Sequence, residues 1–155
     1  MTSAWDFAMA AWRRPGLEAA CLELQETHGQ CVALLLWRLW AASEGREVDA
    51  AALDAALSLA REWEGRVLAP LRAVRKALRE PMAGIDPTVL ETLRRQILQA
   101  ELDGERGLLV ALEHLTSQRG GPVAVSVARH AIFTLTERWG RLPPDGTLDA
   151  VLAAL

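Results

Sequence analysis

Residues 30–43, QCVALLLWRLWAAS, decide how this chain folds. Only Gln30, Arg38 and Ser43 are polar. A helix apolar nearly all round belongs at the centre of a bundle. The run stays well short of the ~20 residues a bilayer span requires, so it predicts a core helix.

Working outward, the spacing remains helical. Upstream, Leu17, Cys21, Leu24 and His28 recur at i, i+4, i+7 and i+11, and Trp5, Met9 and Trp12 form an earlier stripe. The two are separated by RRPG, where Pro15 disfavours helix at Arg14. Gly29 ends or kinks the second helix. Downstream, Asp49 is an N-cap for a helix that can continue to about Arg79, with a weak point at Gly65 and a kink near Pro70. Asp86 followed by Pro87 starts another, running to about Ser117 and loosened at Gly104 and Gly107. Pro122 opens a helix through Trp139, and Thr147 caps a short last one. No stretch alternates like a strand. The expectation is an all-α, single-domain bundle over residues 1–155, with six or seven helices and the helix at 30–43 in the middle.

The balance of 17 basic and 20 acidic residues makes a nucleic-acid partner unexpected, because phosphate binding needs a basic surplus. Asn and Tyr are absent and Lys76 is the sole lysine, the usage of a GC-rich bacterial gene. The arginine excess is therefore no phosphate signal. The N-terminus MTSAWDFAMAAW has no basic leader and carries Asp6, so it does not read as a secretory signal. A cytoplasmic location with reduced cysteines is expected.

Trp5-x-Phe7, RRPG at 13–16, ACLELQETHG at 20–29, LLLWRLW at 34–40, Trp63 and APLRAVRKALR at 69–79 resemble a family of small uncharacterised proteobacterial proteins, known as a domain of unknown function. The resemblance covers about residues 5–79, with Trp12 standing where the family carries Tyr. It implies an all-helical bacterial cytoplasmic protein and no known activity.

Each constellation that could carry chemistry also has a plain structural role. Cys21, His28 and Cys31 match no closed zinc spacing, and a fourth ligand would have to be His114 or His130. Core cysteines are the first reading, a redox-sensitive pair the second, a metal site the last; no metal and no cofactor is called for. His28 fits a helix C-cap, with Gln25 satisfying backbone groups at the break. No nucleophile–base spacing, Glu-x-x-His or phosphate loop is present, so enzymatic activity would need residues dispersed among helices. Arg38 must pair with a carboxylate, stack on a ring, or hold an anionic ligand inside the bundle beside Trp37 and Trp40. Trp5 and Trp12 are candidates for an exposed apolar patch. Arg72, Arg75, Lys76 and Arg79 form a basic stripe that is either a solvated face or a docking surface. The leading expectation is a small interaction or regulatory protein that takes an unidentified protein partner on that stripe and on the Trp5/Trp12 patch; the alternative is a binder of a small apolar or anionic ligand inside the bundle.

Overall fold

The structure, a computed structural model, describes residues 2–118 and 120–153. Its centre is α3 (Val32–Ser43), as the composition of that segment requires. Leu39, Trp37 and Trp40 have no exposed surface, and Arg38 is the one residue of 32–42 outside the buried set. The Trp40 indole N–H donates to the Thr2 carbonyl at 2.7 Å, so the chain entering the first helix is tied to the central one.

That first helix, α1 (Ala4–Trp12), is capped by Ser3, whose hydroxyl accepts from the Asp6 amide. It buries Ala4, Ala8 and Ala11 rather than the Trp5–Met9–Trp12 stripe. Small side chains let its backbone approach closely, and the large ones fall to the flanks. In α2 (Leu17–Glu26), Leu17, Cys21 and Leu24 face inward as expected, behind Gly16 at φ +83°.

A long rod comes next. α4 (Ala50–Trp63) starts at the Asp49 cap, which accepts from the Ala52 amide at 2.7 Å. It passes through a π-helical turn, Glu64–Leu68, into α5 (Ala69–Ala77). Gly65 and Pro70 leave this rod helical: Gly65 lies in the widened turn, and Pro70 sits at the start of α5. α6 (Pro87–Glu113) begins at Asp86, whose carboxylate accepts from the Thr88 amide. That bond, joined by one from the Thr88 hydroxyl, holds the Asp86 carboxyl below its usual range.

α7 (Val125–Trp139) starts three residues after Pro122. α8 (Asp145–Leu152) begins before Thr147, which lies within the helix rather than at its cap. Counting 50–77 as one rod, the described residues form seven. The single departure from helix is a two-residue antiparallel pair, β1 (Arg46–Glu47) with β2 (Ser117–Gln118), joining the turns after α3 and α6. Gln30 fastens the far end: its amide donates to the carbonyls of Thr136 and Arg141. No helix among the described residues is long and apolar enough to cross a membrane.

Candidate functional site

α5 and α6 form an antiparallel helical hairpin. It is joined closely at its base, where the Trp63 indole donates to the Gly104 carbonyl at 3.0 Å. A β-carbon on Gly104 would meet Leu68 Cδ2 at 2.9 Å, so this glycine is a packing position rather than the loosening suggested by its place in a helix. Gly107 has open space around it.

Along α5 the basic stripe divides. Arg72 makes a forked pair with Glu64. The two are eight residues apart, which in an uninterrupted α-helix leaves them roughly 80° out of line. The π-turn absorbs the excess and brings them onto one face. Burial alone would lower the Arg72 pKa, but the Glu64 carboxylate outweighs it and the net shift is upward. Arg75 makes the second fork, to Glu101 of α6, with Nε–Oε1 at 2.6 Å and a second bond at 3.2 Å. Side-chain exposures of 17% for Arg75 and 6% for Glu101 make this an interior pair. Lys76 reaches Glu26 at 3.5 Å on the surface. Of the four cations in the stripe, Arg72 and Arg75 are therefore committed inward, and Arg79 alone has no carboxylate within ion-pair distance among the described residues.

Further out the hairpin has no body to pack on. α5 has no buried side chain, and α6 has none before Glu101. Of the fourteen large apolar side chains exposed among the described residues, six (Val74, Met82, Ile85, Val89, Leu93 and Leu98) lie within 74–98. At the tip, Leu78, Pro81, Met82, Ile85, Pro87 and Leu90 line a notch of about 270 Å³, with Arg79, Arg94 and Glu91 also on its walls. Arg94 pairs with Glu91 at 3.3 Å, leaving Arg79 as the uncompensated charge of the notch.

Trp5 and Trp12 do not share one open patch. Both are half-buried on the flank of α1 that faces α6. The Arg106 guanidinium lies over the Trp5 ring at 5.7 Å, and Trp12 lines a cleft with Leu98 and Leu102. Trp37 and Trp40 belong to the core and do not line the space beside Arg38. Arg38 itself has neither a carboxylate partner nor a ring beneath it among the described residues. It lines a pocket of about 270 Å³ with Ala42, Val123, Val127 and Ala131, and burial lowers its pKa. The ring contact belongs to Arg46, stacked on Trp40 at 5.0 Å.

Cys21 and Cys31 are free, buried thiols. Among the described residues no three His, Cys, Asp or Glu side chains gather as metal ligands would. Burial, the larger cause, and the charge of Glu105 push the Cys21 thiol up to about 12. Cys31 also rises to about 12, chiefly through burial. Since the thiolate is the reactive form, a maleimide at pH 7 should label neither cysteine in the folded protein and both in urea. Rapid native labelling, read out by mass spectrometry, would contradict this placement. Among the described residues His28 caps nothing: its Nδ1 is buried without a hydrogen-bond partner, and its Nε2 lies 3.8 Å from Glu23.

The sequence-based candidates do not include Glu64, Glu101 or Glu105. Nothing in the spacing of α5 points to a carboxylate 26 residues away, and the Glu64–Arg72 match depends on a π-turn. Reading 69–113 as a hairpin is the signal that could have found Glu101.

Comparison with curated proteins and with solved structures finds no match. The family described as "Protein of unknown function (DUF2390)" matches residues 3–112, well past the 5–79 of the sequence resemblance and through all of the hairpin but the last residue of α6. With its central helix, its paired arginines and their carboxylates all inside the matched span, the chain belongs to that family.

Proposed function

We propose that this protein is an interaction module that docks a partner protein on the outer part of the α5–α6 hairpin. The observation that carries the reading is the six exposed large apolar side chains on a segment with no buried ones. Apolar surface gathered in this way marks binding sites more often than scattered exposure does. The notch of about 270 Å³ is smaller than a typical site for a whole small ligand, and it suits one inserted side chain. Arg79, uncompensated on its wall, selects a carboxylate beside that side chain. The occupant is thus a protein segment that brings a large apolar residue next to Asp or Glu. The basic stripe contributes through Arg79 and Lys76, while Arg72 and Arg75 hold the hairpin in place.

A photo-crosslinking residue at Val89, introduced in the source cells, tests this. The expected adduct is a single protein, joined through a segment with acidic and apolar residues. Reversing both Arg79 and Arg94 to Glu should weaken that partner about tenfold, or 1.4 kcal/mol, with the melting temperature unchanged. An adduct to RNA or to a second copy of the chain, or one indifferent to the reversal, would overturn the reading.

A further inference from the structure

A second concavity lies at the base of the hairpin, on the side facing α1 and α2. It is a cleft of about 400 Å³, within the range of small-ligand sites. Trp12, Leu22, Leu98 and Leu102 supply apolar walls, with the Leu22 and Leu98 side chains open to solvent. The polar lining is lopsided. Glu18, Glu101 and Glu105 face one cation, Arg75, and the Arg75 guanidinium is already forked onto Glu101. Glu105 has no hydrogen bond or ion pair among the described residues, although it lies near the Arg72–Glu64 and Arg75–Glu101 pairs. The cluster Glu64, Arg72, Arg75, Glu101 and Glu105 holds three carboxylates against two guanidiniums, one negative charge in excess.

We propose that this cleft binds a small organic cation, a primary ammonium carried on an apolar body, with the ammonium on the Glu105 carboxylate and the body between Trp12, Leu22, Leu98 and Leu102. The charge count favours a cation over an anion or a neutral molecule. A primary ammonium fits because it donates N–H bonds to a carboxylate that has no partner. Trp12, which lines the same cleft, adds an aromatic wall to the apolar ones. The polar groups fix orientation while the walls supply burial, the usual division of labour in such sites. The Glu105 pKa agrees: burial is the largest cause raising it, and the neighbouring Glu101 and Glu64 add to the rise against Arg72 and Arg75. A bound cation would relieve that unfavourable charge. This site is separate from the notch, sharing none of its lining residues.

Isothermal titration of the intact protein at pH 7 with hexylamine, hexanol and hexanoate tests the proposal. Hexylamine should bind at least tenfold more tightly than either control. Glu105→Gln should remove that preference while the variant melts no lower than the parent, since it deletes a half-buried charge with no hydrogen bond or ion pair among the described residues. Leu102→Trp, which fills the cleft from its wall, should abolish binding of all three. Equal binding of hexylamine and hexanol would reduce the cleft to an apolar groove and overturn the proposal. So would tighter binding of hexanoate, a preference that survives Glu105→Gln, or no amine binding at millimolar concentration.

Discussion

Replacing Glu101 with Ala should destabilise the protein by about 3 kcal/mol, the lower end of what breaking a buried ion pair costs. The loss arises because the Arg75 guanidinium, forked onto Glu101 in the parent, keeps its charge in a part-buried site without its carboxylate. Arg75→Ala should cost a similar amount by leaving the carboxylate alone. The paired replacement Arg75→Met with Glu101→Leu should recover most of the loss, because two apolar side chains avoid the desolvation of both ions. Urea unfolding compares the stabilities of the four proteins directly. If each single variant loses less than about 0.5 kcal/mol, the pair behaves as a surface bridge and the hairpin base is wetter than its geometry implies. Because both residues lie at the base and away from the notch, the paired replacement should leave partner docking at the tip intact.

Gly45→Ala should be at least as damaging, at about 3 kcal/mol or more. Two effects combine. Gly45 has φ +64°, a left-handed conformation that costs an alanine roughly 1 kcal/mol. Its missing side chain is also where two strands of backbone meet: an added β-carbon would fall on the carbonyl oxygens of Gly120 and Gly121. Backbone cannot swing aside as a side-chain end can. Relief would break the hydrogen bond that the Gly120 amide donates to the Gly45 carbonyl and disturb the adjoining β1–β2 pair. Gly84 supplies the control, with φ +83° and nothing within 4 Å of where a β-carbon would lie. Gly84→Ala should therefore show the conformational cost alone, about 1 kcal/mol. Equal losses in the two variants, measured by urea midpoints at constant slope, would show that the contact carries no energy.

Much of the architecture was legible because it rests on local rules. The composition of 30–43 places α3 at the centre, and the caps at Asp49 and Asp86 act as their residue types predict. What the sequence concealed was non-local. In α1, side-chain size misleads: the tryptophans read as an exposed apolar patch, whereas they lie half-buried on its flank and the inward face is made by the alanines. In α5, the charged stripe looks like a solvated face, yet two of its arginines point at carboxylates supplied by a turn with non-standard spacing and by another helix. The candidate site was legible to the same degree. Arg79 and Lys76 were visible as surface cations. Glu105 carries no sequence signal, because one glutamate on a helix resembles any other until its neighbours are known.

The π-turn at Glu64–Leu68 also has a consequence for comparing members of the family. A wide turn holds about one residue more than an α-helical one, so it accommodates an insertion without rotating the helix beyond it. Deleting one residue between Trp63 and Ala69 would let the segment close as ordinary α-helix with the inward face of α5 kept. A relative with a one-residue gap there can thus retain counterparts of both the Glu64–Arg72 and Arg75–Glu101 pairs. A gap one turn later, inside α5, would instead turn Arg75 by about 100° and uncouple it from Glu101. The same length difference would be silent at one place and disabling a few residues on.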